Sequence, residues 1–110
     1  MDIKKIDKRI SVSPQISVDD IEAIASAGFR ALICNRPDGE GADQPGFDEI
    51  ETAARARGLQ TVYLPVVSGK VSDEDASRFG DALEALPAPV LAYCRTGTRS
   101  ATLWSLSQAS

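Results

Sequence analysis

The chain has 110 residues, of which 43% are hydrophobic, 25% charged and 5% aromatic, and its formal net charge at pH 7 is −4. This length and composition are typical of one globular domain spanning residues 1–110. The acidic balance argues against binding to nucleic acid or to a membrane surface. No apolar run is long enough to span a membrane, and residues 1–8 lack a signal-peptide core, so we expect a cytoplasmic protein.

The alternation of short apolar runs with amphipathic stretches predicts an α/β fold. We expect a small, mostly parallel sheet of four or five strands with helices on both faces. The predicted elements, in chain order, are a strand at 9–12, a helix at 17–28, a strand at 29–34, a helix at 47–57, a strand at 59–67, a helix at 72–86, a strand at 90–93 and a last helix from 99. Ser17 and Ser72 are the predicted N-caps, and Ser17 forms a capping-box pattern with Asp20.

The last predicted helix is still amphipathic at Ser110 and carries no capping signal there. The domain is therefore either short at this end or a piece of a longer chain, and the sequence leaves both readings open.

Cysteine and histidine content restricts the chemistry. The chain contains two cysteines, Cys34 and Cys94, and no histidine. Without histidine, a Ser-His-Asp triad, a Cys-His protease and a His-ligated metal site are all excluded. We predict no metal and no cofactor, and a nucleophile that is activated by other means.

The segment CRTGTRS, residues 94–100, is the most informative part of the chain. It follows an apolar strand and precedes a helix, and ligands of open α/β sheets bind at the carboxyl ends of the strands. The backbone N–H groups of such a loop, together with a helix N-terminus, form a concave anion site. The same field stabilises a thiolate and lowers the pKa of a cysteine placed there. The segment therefore predicts Cys94 as a reactive thiolate.

Each position of this loop has a predicted role. Arg99 can hold an oxyanion through two parallel hydrogen bonds, and we predict it as catalytic together with Cys94. Gly97 permits the left-handed backbone of a tight curl. The hydroxyls of Thr96 and Ser100 are candidate donors to the sulfur. The predicted anion- and substrate-binding residues are Arg95, Thr96, Gly97, Thr98 and Ser100.

Residues 94–100 resemble the active-site loop of rhodanese-type sulfurtransferases. The whole chain, through ISVSPQ at 10–15, NRPDGE at 35–40 and RSATLW at 99–104, resembles the phosphatase-like domain of the bacterial beta-lactamase hydrolase-like family. This resemblance implies a fold similar to that of dual-specificity phosphatases. It also implies a domain that occurs alone or fused to a persulfide dioxygenase of the metallo-β-lactamase type, and either a sulfurtransferase or a phosphatase activity.

Three departures from the pattern of cysteine phosphatases favour the sulfurtransferase. Tyr93 replaces the histidine before the nucleophile, and only four residues instead of five separate Cys94 from Arg99. The loop at 66–71 has no carboxylate to serve as general acid, a role worth about 10²–10⁴-fold. We therefore expect Cys94 to take sulfane sulfur from a small anionic donor as a persulfide and pass it to a thiol acceptor.

Two other readings of the loop stay open. One is a phosphatase of the tyrosine or dual-specificity type, which acts on a phosphorylated substrate through a Cys94 phosphocysteine. The other is a non-catalytic module that binds anions and does not need the thiol of Cys94.

Two residues outside the loop are further candidates. Asp38 is either a displaced general acid or only part of the turn Pro37-Asp38-Gly39. Cys34 is either a second, resolving thiol for Cys94 or a small buried hydrophobe. The neighbouring Arg36 either binds an anionic substrate or pairs with Glu40.

Overall fold

The computed structural model describes residues 2–109. Its five strands are β1 Lys4–Lys5, β2 Ile10–Ser13, β3 Ala31–Cys34, β4 Gln60–Tyr63 and β5 Val90–Tyr93. Its four α-helices are α1 Ile21–Ser26, α2 Phe47–Ala56, α3 Asp73–Ala85 and α4 Thr98–Ala109, with a 3₁₀ turn at Val18–Asp20 before α1. The predicted end of the last helix at Ser110 lies outside the described residues.

The strands form one sheet in the order β1-β2-β5-β3-β4, and only β1 runs antiparallel to its neighbour. Tyr93, the last residue of the central strand β5, is in register with Ser13 of β2 and with Cys34 of β3. Three strands therefore end side by side, and the residues that follow them emerge at one edge of the sheet. The predicted small, mostly parallel sheet is confirmed.

Helices cover both faces of the sheet, as the sequence predicts. Alternate residues of β3 divide between them: Ala31 and Ile33 face α3 and α4, whereas Leu32 and Cys34 face α1 and α2. Phe79 of α3 and Ile50 of α2 are fully buried on these opposite sides. Burial of a side chain of this size contributes about 1.5–3 kcal/mol to folding.

Capping signals predicted from the sequence are present before α3 and before the turn that leads into α1. Ser72 Oγ accepts the backbone N–H of Asp75 at 3.1 Å, and Asp75 Oδ2 accepts the N–H of Ser72 at 3.1 Å, which closes a capping box at the start of α3. The N–H of Ser17 donates to Asp20 Oδ2 at 2.8 Å, but the chain first makes a 3₁₀ turn before α1.

The hydrogen-bonded strands are shorter than the apolar runs of the sequence suggest. β4 ends at Tyr63 instead of residue 67, although the N–H of Leu64 still donates to the Cys34 carbonyl and that of Val66 to the Asn35 carbonyl. The chain stays extended there while it leaves the sheet. β1 consists of two exposed lysines without apolar alternation, so no hydrophobic pattern predicts this strand.

Within residues 2–109, no helix combines the length and the apolar character that crossing a membrane requires.

Candidate active site

Cys94 lies at the sheet edge, where the chain leaves β5 and turns into α4. The residue is fully buried, and its N–H donates to the Ser13 carbonyl at 3.4 Å. The N–H of Gly97 in turn donates to the Cys94 sulfur at 3.1 Å. The loop therefore wraps around the thiol and directs backbone donors at it.

Gly97 makes this curl sterically feasible. Its φ is 91°, which lies in the left-handed region that favours glycine. A Cβ atom at this position would also stand 3.3 Å from the carbonyl carbon and oxygen of Ser13. Any other residue would therefore strain the loop and push it away from β2.

The environment of Cys94 favours its thiolate. Burial raises the pKa of the thiol, but the backbone N–H groups directed at the sulfur outweigh burial and hold the pKa below its ordinary value. These donors belong to Ser100, Thr96, Arg99 and Gly97. Cys34 shows the opposite behaviour, because burial there dominates and raises the pKa of its thiol.

We expect the two thiols to titrate in well-separated pH ranges. Ultraviolet absorbance of the thiolate, followed against pH, should rise first at a pH below the ordinary cysteine pKa and again only in the alkaline range. Cys94→Ser should remove the first transition and Cys34→Ser the second. Loss of the low-pH transition in Cys34→Ser instead would contradict the assignment.

Arg99 is fixed by a carboxylate that lies 59 positions away in the sequence. Its Nη1 donates to Glu40 Oε2 at 2.8 Å and to the Val66 carbonyl at 2.9 Å, and its Nη2 donates to Glu40 Oε1 at 2.7 Å. These bonds leave the hydrogen on Nε and the second hydrogen on Nη2 for another acceptor. The pKa of Arg99 is raised, mainly by the hydrogen bonds it donates to Glu40 and further by the charge of Cys94 and a side-chain hydrogen bond to it.

Glu40 is shared between two buried arginines. Arg36 donates from Nε to Glu40 Oε1 at 3.0 Å and from Nη1 to Gln15 Oε1 at 3.1 Å. The backbone N–H of Gln15 donates to the Arg95 carbonyl at 3.2 Å, which ties this network to the loop. Of the two readings of Arg36, the structure shows the pair with Glu40. Sequence reasoning missed Glu40 as the partner of Arg99.

Glu40→Gln should weaken both folding and activity. The amide keeps the shape of the side chain but leaves two buried guanidinium groups without a counter-ion. Because Glu40 itself is partly exposed, we expect the free energy of unfolding at neutral pH to fall by only about 1–3 kcal/mol. Hydrogen bonds with Arg99 lower the pKa of Glu40. The stability it provides is therefore present above the ordinary carboxyl pKa and is lost as the pH falls through the lowered value. Denaturant unfolding at a series of pH values should show the unfolding free energies of wild type and Glu40→Gln converging in acid. A difference that stays constant with pH would contradict this role of Glu40.

The hydroxyls of the loop do not donate to the sulfur, contrary to prediction. Ser100 Oγ donates instead to Asn35 Oδ1 at 2.8 Å, and Thr96 Oγ1 donates to Thr98 Oγ1 at 3.1 Å. The backbone N–H groups of Ser100 and Thr96 are the groups that act on the thiol. The reason is geometric: Ser100 lies in the first turn of α4, where its fully buried side chain meets the residue after β3.

Asn35 connects the segments that surround the loop. It is fully buried, and its side-chain amide donates to the Leu64 carbonyl at 3.0 Å while its side-chain oxygen accepts from Ser100. Its backbone N–H donates to the Tyr93 carbonyl at 2.8 Å, and its own carbonyl accepts from Val66 at 3.0 Å. Asn35 was not among the predicted site residues.

Ser100→Ala should destabilise the fold by about 1–3 kcal/mol, because the buried side-chain oxygen of Asn35 then loses its donor. Thr96→Ala is the matched control: it also removes a hydroxyl from the loop, but at an exposed position, where a change within about 0.5 kcal/mol is expected. Chemical denaturation of both variants measures the difference. Equal losses of stability in the two variants would contradict a stabilising role for the hydrogen bond between Ser100 and Asn35.

Asp38 and Cys34 both have structural roles. Asp38 Oδ1 accepts the backbone N–H of Phe47 at 2.8 Å at the start of α2, and the backbone N–H of Asp38 donates to the Tyr63 hydroxyl at 2.9 Å. The buried thiol of Cys34 donates to the Arg36 carbonyl at 3.3 Å. The general-acid role of Asp38 and the second-thiol role of Cys34 therefore stay predictions.

A groove of about 550 Å³ opens beside the loop. Among the residues that line it are Arg95, Thr96, Thr98 and Arg99, with Ser68 from the segment between β4 and α3. Three of the predicted anion-binding residues, Arg95, Thr96 and Thr98, thus meet Arg99 in one depression, whereas Gly97 lines a groove on the β1–β2 side and Ser100 is buried. Within residues 2–109, no group of three or more His, Cys, Asp or Glu side chains is placed to hold a metal ion.

The sequence has clear relatives. Residues 2–110 match the protein family described as "Beta-lactamase hydrolase-like protein, phosphatase-like domain". A beta-lactamase hydrolase-like protein from Xylella fastidiosa is 36% identical over 108 residues, which cover 98% of this chain and 25% of that protein. One from Agrobacterium fabrum is 32% identical over 105 residues, covering 96% and 24%. The chain spans about a quarter of the length of these curated relatives.

Solved structures agree with this assignment. A Neisseria meningitidis protein with a provisional phosphatase assignment has a TM-score of 0.93 and 38% identity, covering 99% of this chain and 78% of that chain. TpbA from P. aeruginosa, solved in complex with phosphotyrosine, has a TM-score of 0.70 and 12% identity, covering 92% and 58%. At that identity the similarity concerns the fold, which is that of the cysteine phosphatases. The chain therefore belongs to the family of phosphatase-like domains of beta-lactamase hydrolase-like proteins.

Proposed function

We propose that this domain is a cysteine-dependent phosphatase in which Cys94 is the nucleophile and Arg99 binds the transferred phosphoryl group. The observation that carries the proposal is the arrangement of Arg99. Glu40 occupies one end of the guanidinium, and the hydrogens that remain on Nε and Nη2 match two oxygens of a phosphoryl group. The phosphatase-like family and the phosphotyrosine bound to TpbA support the same reading.

The proposed reaction has two steps. In the first, the Cys94 thiolate attacks phosphorus, a sulfur–phosphorus bond forms, and the leaving group departs with the electron pair of its bond. The loop N–H groups and Arg99 hold the phosphoryl oxygens, where negative charge is spread in the transition state. In the second step, water attacks phosphorus, the sulfur–phosphorus bond breaks, and its electron pair returns to the sulfur of Cys94.

Sulfur transfer, the function favoured by the sequence, is the second candidate. The observation in its favour is the tight loop, in which four residues lie between Cys94 and Arg99 and Gly97 donates directly to the sulfur. In this reading Cys94 takes the outer sulfur of a small anionic donor and passes it to a thiol acceptor. In this reading, the resemblance to a family whose members occur fused to a persulfide dioxygenase implies a functional link to such an enzyme.

Parallel turnover assays separate the two activities. Reduced protein is incubated with an aryl phosphate and, separately, with thiosulfate plus cyanide, and phosphate and thiocyanate are measured. Phosphate release with little thiocyanate is the expected result. Thiocyanate without phosphate would establish the sulfurtransferase. Retained phosphate binding with neither product would establish the anion-binding module.

A further inference from the structure

Glu40 and Asp38, which follow β3 at the same sheet edge as the loop, already have hydrogen-bond partners. Glu40 is held by Arg99 and Arg36, which lower its pKa, so this carboxylate carries no proton to donate at neutral pH. Asp38 accepts the N–H of Phe47 at the start of α2 through its Oδ1 atom. Glu40 therefore cannot act as a general acid, and one oxygen of Asp38 is used at the start of α2.

Two other acidic residues border different depressions. Asp73 is the first carboxylate after the segment between β4 and α3, and it lines a groove with Leu106 on the side of α3 and α4. Asp2 lines a groove with Gly97 on the β1–β2 side of the loop, and neither Arg95 nor Arg99 contributes to that groove. Both therefore border grooves other than the one beside Arg99.

The groove beside Arg99 is instead lined by hydroxyl-bearing and cationic residues. They include Ser68, Thr102 and Arg95, of which Arg95 is exposed and has its carbonyl fixed by the Gln15 N–H at 3.2 Å. Such a lining provides hydrogen bonds and positive charge for an anion. It favours a leaving group that departs with its negative charge, rather than one that must be protonated as it leaves.

Resting on the phosphatase function proposed above, we infer that the substrate is a phosphoanhydride whose departing phosphate is received beside Arg95. The Cys94 thiolate attacks the terminal phosphorus, a sulfur–phosphorus bond forms, and the bond from that phosphorus to the bridging oxygen breaks. The electron pair stays on the bridging oxygen, and the leaving phosphate is a stable anion that needs no proton. Water then attacks this phosphorus, the sulfur–phosphorus bond breaks and its electron pair returns to the Cys94 sulfur, and inorganic phosphate leaves with the water oxygen, its protons shared between phosphate and solvent.

The first test compares phenyl phosphate, whose leaving group is phenolate, with phenyl diphosphate, whose leaving group is the phenyl phosphate anion. Wild-type kcat/KM should be about 10²–10⁴-fold higher for the diphosphate, the factor that a general acid would otherwise supply. A series of aryl phosphates should show a steep fall in rate as the leaving-group pKa rises. Equal rates for the pair, or a flat series, would overturn the inference.

The second test changes Arg95. Arg95→Ala should lower kcat/KM for phenyl diphosphate about tenfold more than kcat/KM for p-nitrophenyl phosphate, because only the diphosphate leaving group carries a phosphate. Arg95→Lys should restore part of the loss, and Arg78→Ala, an exposed arginine of α3 paired with Glu74, is the control for general charge. An equal loss on both substrates would overturn the role of Arg95.

The assays also separate failure of this inference from failure of the phosphatase function. If p-nitrophenyl phosphate is hydrolysed in a Cys94-dependent way but phenyl diphosphate is not preferred, the phosphoanhydride substrate is refuted and the phosphatase function stands. No Cys94-dependent phosphate release from any substrate refutes both proposals. Thiosulfate, whose leaving group is the stable sulfite anion, is assayed alongside, and sulfur transfer faster than every phosphoryl transfer would also overturn the inference.

Discussion

Cys94→Ser is expected to lower kcat/KM for phosphate release by about 10⁴-fold or more, because the nucleophile of the proposed reaction is lost. The backbone donors of the loop favour the thiolate. A serine hydroxyl in the same place stays protonated, since its pKa is far above that of a thiol and no histidine is present to take the proton. Initial rates with p-nitrophenyl phosphate measure the loss.

Binding should survive this substitution. Serine fits the space of cysteine, and the loop N–H groups and Arg99 still face the anion, so titration calorimetry with inorganic phosphate should show affinity equal to or above that of wild type. Cys34→Ser is the matched control: it changes the other buried cysteine and should keep kcat/KM within about threefold, because it touches no reacting atom. Activity of Cys94→Ser above a tenth of wild type would contradict the nucleophile assignment.

Arg99→Lys should lower kcat/KM by about 10²–10³-fold, the usual cost of losing a preorganised donor to a transition-state oxyanion. Arginine can bind Glu40 with one end of its guanidinium and still offer donors on Nε and Nη2. A lysine ammonium keeps the positive charge, but its donors lie on one nitrogen atom. It therefore cannot bind the Glu40 carboxylate and two phosphoryl oxygens in the same geometry.

The effect of Arg99→Lys should fall mainly on kcat, because the two lost hydrogen bonds strengthen as charge develops in the transition state. The thiolate titration of Cys94 is measured on the same variant to show that the loop N–H groups remain in place. Arg78→Lys, at an exposed arginine of α3 outside the groove, is the control and should change p-nitrophenyl phosphate turnover by less than about threefold. A loss confined to KM would contradict a transition-state role for Arg99.

Local patterns in the sequence are sufficient to predict most of the fold. β5 coincides with its apolar run, and α3 starts at its Ser72 cap, because both signals lie within a few neighbouring residues. The shape of the loop at residues 94–100 was also predictable, since the order of strand, cysteine, glycine curl and helix is contiguous. β1 was not, because its two exposed lysines pair with β2 through backbone hydrogen bonds alone.

The hydrogen bonds that position Arg99 and Ser100 join residues that are far apart in the sequence, so the sequence does not display them. Arg99 and Glu40 are 59 positions apart, and Ser100 and Asn35 are 65 apart. Their pairing follows from strand order, which brings the ends of β3 and β5 together at one edge. The three departures from the phosphatase pattern favour sulfur transfer, whereas our proposal of phosphoryl transfer rests on the Arg99–Glu40 geometry, which the sequence does not display.

The most direct test is to identify the group that Cys94 carries during turnover. Wild-type protein is mixed with p-nitrophenyl phosphate, quenched within a turnover and digested, and the peptide containing Cys94 is analysed by mass spectrometry, with thiosulfate as the parallel donor. We predict one phosphoryl group on Cys94 from the phosphate ester and none on Cys34. An added sulfur atom from thiosulfate with no phosphoryl adduct, or a phosphoryl group on any other residue, would contradict the proposed phosphatase.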